Sequence, residues 1–597
     1  MRIANACQYS VSMQTRHDAR HTTQTLTAPE WWRTAVIYQI YPRSFADASG
    51  DGVGDLRGIT RRLDDLADLG VDALWLSPFM VSPQKDAGYD VADYCDVDPL
   101  FGTLADFDEM LAAAHAREIR IIVDLVPNHS SDQHPWFQEA LRAAPGSAER
   151  ARYIFRDGRG PGGDQPPTNW DSIFGGPAWT RVTEEDGSPG QWYLHLFDSS
   201  QPDFNWENEE VREEFRRILR FWLDRGVDGF RVDVAHGMVK DPSFPDWSPN
   251  PEAASMGGDG APAPYWEQPG VHEIYRDWHR LLAEYDGDRA LCGEAWVSTI
   301  EKTALWVRPD EMHQTFNFHY LETPWEPAAL RRIIDDSLRA FGAVGAPSTW
   351  VLSNHDVVRH ATRLGLTAEN PQGTGIGPDF PGLPEPQHAL RRARAATALM
   401  LALPGSAYLY QGEELGLPEV LDIPDEARQD PTWFRTRGER YGRDGCRVPI
   451  PWESDAPAAG FSSSGRSWLP QPEGWGTFAR DCQRDDAGST LSLYRRLLEV
   501  RRAHGLGEGT LRWLDPGELP GVAEGQSEDV LALSNQDVVV LANFGATPIP
   551  LPPGRHVLAS STELVAESGA PDREDRAPLL PQDAVVWLVS PENVPLI

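Results

Sequence analysis

Eight short apolar runs recur through residues 36–410, each followed, across a loop or a longer excursion, by a segment of helical periodicity, and this alternation restricts the architecture more than any other feature of the chain. The runs at residues 36–41, 73–77, 119–126, 229–233, 290–296, 314–320, 349–353 and 407–410 are rich in Val, Ile, Leu, Tyr and Trp and read as strands. Helical spacing predicts helices over residues 59–69, 103–118, 208–225, 271–285, 300–307, 327–341, 388–403 and 490–504, as in the stripe Val211, Phe215, Ile218 and Trp222. Strands joined through helices run parallel, and eight such units is the count of a (β/α)8 barrel, an α/β fold.

Two stretches break the rhythm. After the third run, about seventy residues rich in Gly, Pro, Trp and Asp carry one clear strand, at residues 191–197. An excursion of that length predicts a small inserted domain. From about Gly509, apolar runs at residues 530–534, 538–542 and 584–589 are separated by Pro and Gly, which predicts a C-terminal antiparallel β-sandwich. The expected division is a disordered leader at 1–30, barrel at 31–128 and 201–508, inserted domain at 129–200 and sandwich at 509–597.

Charge and cysteine usage exclude whole classes of partner. With 54 Lys and Arg against 90 Asp and Glu, the net charge of -36 repels phosphate backbones and anionic lipid, so neither nucleic acid nor a membrane is expected as partner. Cys7, Cys95, Cys292, Cys446 and Cys482 are scattered without a CxxC pair, which suggests neither a disulfide framework nor a zinc site and fits a reducing cytoplasm. The first thirty residues lack the apolar core of a signal peptide, and no apolar run is long enough to span a bilayer. A cytoplasmic monomer or homodimer acting on a small molecule is the expectation.

Barrel enzymes carry their chemistry at the C-terminal ends of the strands. There the sequence places Asp124 at the end of run three and His129 after it, Arg231 and Asp233 in run four, Glu294 in run five, and His355 and Asp356 after run seven. Arg231 and Asp233 are two apart and share one strand face, where a guanidinium favours an ionised carboxylate, as a nucleophile requires. Any one of these groups alone reads as a structural cap or ion pair. Several arriving from separate strands at one rim are costly to bury without a function.

The segments DLVPNH, QPDFNWENEEV, GFRVDV, GEAW and SNHD, in this order, resemble the signature regions of the α-amylase family of glycoside hydrolases, family 13. Within it, the chain is most similar to bacterial exo-acting α-glucosidases of the oligo-1,6-glucosidase type, from about Trp31 to at least Trp452. The resemblance implies a retaining double displacement. Asp233 attacks the anomeric carbon, Glu294 protonates the leaving oxygen and later deprotonates water, and Asp356 holds sugar hydroxyls, with the two reacting carboxyls about 5–5.5 Å apart. It further implies that His129 and His355 grip hydroxyls and that Arg231 supports Asp233. Asp86 and Tyr89 would meet a non-reducing terminal glucose, Arg447 would help close the pocket, and Phe174, Phe197 and Gln201 would form its wall.

No organic cofactor is implied. The loop from Asp47 to Asp55 spaces oxygen donors at alternate positions around glycines, as a calcium loop does, although Gly58 stands where an EF-hand needs its glutamate. It resembles the divalent-ion loop of these α-glucosidases, which implies a structural Ca2+ or Mg2+ on Asp47, Ser49, Asp51 and Asp55 with the Val53 carbonyl. The expected activity is release of glucose from short α-glucosides through a covalent glucosyl-aspartate, with α-1,4 substrates such as maltose ahead of α-1,6 substrates and sucrose. Val234, after the nucleophile, is similar to isomaltose-type relatives, whereas Ala235-His-Gly and the Pro-rich residues 241–270 depart from them. The alternative is a glucosyltransferase or sugar isomerase of the same family, in which a sugar intercepts the glucosyl enzyme. A non-catalytic amylase-like binding subunit is a remote third reading, since all three carboxylates are present.

Overall fold

The computed structural model describes residues 30–247, 263–371, 373–515, 518, 528–565 and 578–593. The leader expected at 1–30 falls outside the described residues but for Glu30, as does much of the Pro-rich stretch at 241–270.

Eight strands form one parallel sheet: β1 (Val36–Ile40), β2 (Ala73–Leu76), β3 (Arg120–Leu125), β4 (Gly229–Val232), β5 (Ala290–Gly293), β6 (Gln314–Thr315), β7 (Thr349–Val351) and β8 (Ser406–Tyr410). Their spatial order is β6-β5-β4-β3-β2-β1-β8-β7, and a parallel bridge from Phe316 to Thr349 joins the two ends into a barrel. The strands are apolar on both sides because both sides are covered. Ile37, Trp75, Ile122, Cys292, Val351 and Tyr408 fill the barrel interior, while Tyr38, Leu74, Leu76, Ile121, Val123 and Leu291 face the helices.

The local departures from the predicted elements have local causes. β6 ends at Thr315 instead of running to 320, because the Asn317 side chain accepts from the Tyr320 backbone N–H and starts the helix Phe318–Glu322. The predicted helix at 59–69 is two, Leu56–Arg61 and Leu63–Leu69, separated at Arg62. The helix Glu209–Arg225 follows its stripe closely, capped by Asn208 and stopped by Gly226, whose φ of 104° suits a glycine.

The excursion after β3 leaves and returns side by side, with His129 and Asp203 forming an antiparallel bridge. Between them lies a three-stranded antiparallel sheet of Phe155–Arg156, Pro189–Leu194 and Trp179–Thr183, of which the sequence shows only the middle strand clearly. At the C-terminal end five antiparallel strands run in the spatial order Leu511–Trp513, Val530–Asn535, Val538–Asn543, Ala584–Val589 and His556–Ser560. Val540 and Trp587 face the barrel, where the Trp587 indole donates to the Ala398 carbonyl at 3.0 Å. Leu541 and Leu588 point the other way, onto Ile549 and Leu580 of a two-stranded ladder. Among the described residues no helix is long and apolar enough to cross a membrane.

Candidate active site

The strand ends and the loops that follow them carry the polar side chains into one pocket. It is lined by Asp86, Tyr89, His129, Phe174, Phe197, Asp233, Glu294, His355 and Asp356 among the expected residues, with Arg443, Arg440, His236, Trp266 and Trp296 in addition. Gln201, Arg231 and Arg447 stand behind this lining and act on it through hydrogen bonds.

Arg231 is the first of two guanidinium hubs. Fully buried on β4, it donates through Nη1 to Asp124 at 2.9 Å and to Asp233 at 2.7 Å, and its Nη2 lies 2.7 Å from Glu294 Oε2. It therefore serves Asp124 and Glu294 as well as Asp233. Burial pushes the Asp233 carboxyl well above its ordinary range; Arg231 pulls it back, and Glu294 and Asp124 push it up again. Burial likewise raises Asp124 to about 6 against the pull of Arg231, and its oxygen also accepts from Trp75 and from the Tyr89 hydroxyl. Three carboxylates around one guanidinium leave a surplus of negative charge and favour retention of a proton within the cluster.

Glu294 follows β5 directly and is oriented by two donors, the Val234 backbone N–H at 3.1 Å and the Trp296 indole at 3.2 Å. Val234 can present its N–H there because its backbone is left-handed, with φ of 44°. For a β-branched residue that conformation is strained and costs on the order of 1–3 kcal/mol. The strain sits next to Asp233, where hydrogen bonds from Ala235 to the Glu294 carbonyl and from Gly237 to the Val234 carbonyl hold the turn.

Arg443 is the second hub, a residue that the sequence motifs leave aside in favour of Arg447. It reaches Asp86 at 2.8 Å, Asp356 at 3.0 Å and Asp430 at 2.6 Å, so the three are bridged across one end of the pocket. Arg447 lies behind, donating to Asp356 at 2.9 Å and to the His355 carbonyl at 2.8 Å. Burial would raise Asp356, but the guanidinium groups of Arg443 and Arg447 outweigh it and hold the carboxyl well below the usual range, with His355 Nε2 3.1 Å from its other oxygen. Asp86 has less help: burial raises it to about 6, with Arg443 and Arg447 opposing, and Gln201 donates to it at 3.1 Å. The signal for Arg443 is its place four residues ahead of Arg447 in the same segment.

Aromatic packing fixes the neutral groups. His355 is sandwiched between Tyr89 and Tyr41, with ring centroids 5.1 and 5.6 Å away, and its Nδ1 meets the Gln39 amide at 2.7 Å. Burial drives His355 well below its ordinary pKa and brings His129 down to about 4, so both are neutral near pH 7. Phe174 and Phe197 meet edge to face at 5.5 Å, Phe197 touches His129, and Arg443 lies over Phe174. The inserted domain thus supplies the apolar wall opposite the carboxylates.

The Asp47–Asp55 loop lies away from this pocket. Asp47 accepts from Gly50, Gly52 and Ser49, Asp51 from Val53, and Asp55 from Ala48 and Ser49 while capping the helix at Gly58. The donors are hard oxygens of the kind Ca2+ and Mg2+ take. They are engaged within the loop, however, and among the described residues no group of three or more His, Cys, Asp or Glu side chains gathers as a metal cage.

The family described as "Alpha amylase, catalytic domain" matches residues 39–509 of this chain. The chain belongs to the α-amylase family. A second family, the domain of unknown function DUF3459, matches residues 525–587, over the C-terminal strands. Among curated family members, a "probable alpha-glucosidase" of Rhizobium meliloti (strain 1021) is 38% identical over 535 residues, covering 86% of this chain and 91% of the relative. The oligo-1,6-glucosidase of Parageobacillus thermoglucosidasius is 33% identical over 570 residues, covering 90% and 94%. Of solved structures, the α-glucosyl transfer enzyme XgtA superposes with a TM-score of 0.77 at 36% identity, covering 94% of this chain and 99% of that one. The trehalulose synthase MutB from Pseudomonas mesoacidophila MX-45 has a TM-score of 0.75 at 31% identity, covering 94% and 99%.

Proposed function

We propose that this protein is an exo-acting, retaining α-glucosidase that releases glucose from the non-reducing end of short α-glucosides. The observation that carries this reading is the bridge from Asp86 through Arg443 to Asp356, which closes one end of the pocket behind the carboxylates held by Arg231. A terminal glucose fits against such a closed end, with Asp86, Asp356, His129 and His355 meeting its hydroxyls.

Asp233 acts as nucleophile and Glu294 as acid and then base. In the first step the Asp233 oxygen bonds to the anomeric carbon while the glycosidic bond breaks and Glu294 delivers its proton to the leaving oxygen. In the second, Glu294 takes a proton from water, whose oxygen displaces Asp233 with a second inversion. Both carboxyls are held on the two Nη atoms of one guanidinium, which supports the short separation that retention needs. The negative surplus at each hub suits the oxocarbenium-like charge that develops between them.

The Asp233→Asn variant is expected to lose about 10⁴-fold or more in kcat on maltose, with α-glucose as the first anomer seen by NMR for the native enzyme. Full activity in the variant would overturn the nucleophile, and β-glucose as the first product would overturn retention. Maltose is expected to exceed isomaltose and sucrose when the three are assayed side by side. The likeness to XgtA and MutB favours a second reading, in which a sugar intercepts the glucosyl enzyme. Product analysis at high sugar concentration separates the two, free glucose alone excluding transfer. We propose a cytoplasmic location, in keeping with the free thiols of Cys292, Cys446 and Cys482, and a structural divalent ion in the Asp47–Asp55 loop.

A further inference from the structure

The N-terminal face of the barrel, at the opposite end from the catalytic carboxylates, carries a cavity of its own. Val36 at the start of β1, Asp72 just before β2 and Arg120 at the start of β3 line it, with Arg501 and Arg502 from the helix Thr490–Ala503. Trp31 belongs to the same wall, its ring centroid 4.9 Å from the Arg120 guanidinium.

Two guanidiniums of this lining are buried and, among the described residues, form no ion pair. Arg120 is 8% exposed, and its Nε has no hydrogen-bond partner there. The buried or half-buried carboxylates that act on it are engaged elsewhere. Asp72 accepts from the Val36 N–H and from Arg502, each at 2.8 Å, while Asp228 meets His115 at 2.7 Å and accepts from the Ile121 N–H and Arg289 at 2.9 Å. Arg501 is 4% exposed and donates to backbone carbonyls, those of Leu401 and Leu403 at 2.7 Å and that of Gly405. The other acids of the lining do not compensate for this: Glu30 pairs with Arg33 at 3.1 Å, and Glu508 is exposed, where solvent screens it.

Burial accordingly lowers the Arg120 pKa against the pull of Asp228 and Asp72, and brings Arg501 down to about 10 against that of Asp72. Burial acts on Arg231 and Arg443 as well, but the carboxylates around those two outweigh it and raise both. A buried charge without a counter-charge is costly. In a chain of net charge -36, two such cations lining one cavity are an anomaly that an anionic ligand removes.

We propose that this cavity is a binding site for a phosphate group, held by Arg120 and Arg501 on the face of the barrel away from the reaction. The planar N–H fork of Arg120 suits a tetrahedral oxyanion, to whose oxygens it donates in pairs, whereas Arg501, with its Nη atoms given to carbonyls, supplies charge. Near pH 7 a phosphate group carries about -1.5 to -2 charge, so one group offsets both cations, which a single carboxylate does not. Inorganic phosphate and the phosphate of a sugar monoester share this chemistry. No bond is made or broken in the cavity, and the bound group stabilises the folded chain.

The test is calorimetric titration of the full protein with inorganic phosphate, and thermal unfolding in phosphate against sodium chloride of equal ionic strength. Saturable binding and a rise in unfolding temperature beyond that in chloride are expected. Arg120→Gln should weaken the phosphate Kd about tenfold or more while leaving kcat/KM on maltose unchanged. Glucose 6-phosphate is the second arm: tighter binding than inorganic phosphate assigns the site to a sugar phosphate, and equal or weaker binding assigns it to the free ion. Phosphate that acts no differently from chloride, or native affinity retained in Arg120→Gln, would overturn the proposal. Should that variant fail to fold, native crystals soaked in tungstate, a tetrahedral oxyanion, give a further readout. Anomalous density between Arg120 and Arg501 supports the site, and its absence there overturns it.

Discussion

Asp86 shows how one side chain's surroundings set a pH response. Burial raises its carboxyl to about 6 despite Arg443 and Arg447, so the proton leaves only near the lower end of the physiological range. Below that, the bridge from Asp86 through Arg443 to Asp356 loses its first charge. KM for maltose is therefore expected to rise as the pH falls below about 6, whereas Asp86→Asn should show a high KM with that dependence removed. An unchanged pH profile in the variant would refute the assignment. The fall in affinity is not unfolding at this position. A carboxyl raised above its unfolded pKa contributes stability that is greatest at low pH and is lost as pH rises through about 6, the reverse of the affinity change. At this scale the sequence showed which carboxylates reach the rim. It did not show that Arg231 and Arg443 would each be shared among three, because that depends on how far each guanidinium reaches once its strand or loop is placed.

At the scale of elements, Asp203 ties together three segments that are distant in sequence. Its carboxylate accepts from the Leu196 backbone at 2.9 Å and from Asn128 after β3 at 3.2 Å, and lies 2.7 Å from Lys240 beyond β4. Both charged partners are buried, and Lys240 also donates to the Asn128 amide oxygen and the Gly237 carbonyl. Replacing Asp203 with Ala strands a buried ammonium and is expected to cost about 3–5 kcal/mol in urea unfolding. A loss below about 1 kcal/mol, the scale of a surface pair, would show that water reaches Lys240. The Asp47–Asp55 loop allows a contrasting test. If a divalent ion supports it, exhaustive chelation lowers the unfolding temperature while leaving KM for maltose unchanged, and an unmoved transition would remove the ion from the account. Helices with long apolar stripes, such as Glu209–Arg225, were legible from periodicity. The two-residue strand Phe155–Arg156 was not, because so short a segment has no period and is defined by its partner.

For the whole molecule, the C-terminal sheet is part of the barrel's covering. Trp587 and Val540 pack toward the helix Pro386–Leu401, and buried Asp583 accepts from Trp325 at 2.7 Å, His388 at 2.7 Å and Arg392 at 3.2 Å. Asp583→Ala is expected to destabilise the protein by about 3 kcal/mol in thermal unfolding, leaving kcat on maltose unaltered below the transition. A change in kcat would mean that the domain reaches the site. The sequence by itself determined the number and order of the strands, the side of the barrel that carries the carboxylates and the family to which they belong, because periodicity and strand-end position are local properties of the chain. Tertiary structure alone decided the sharing of Arg231 and Arg443, the left-handed turn at Val234 and the packing of the His236 ring against Trp266. Those depend on distances between segments tens to hundreds of residues apart, set only when the barrel closes and the loops settle on its rim.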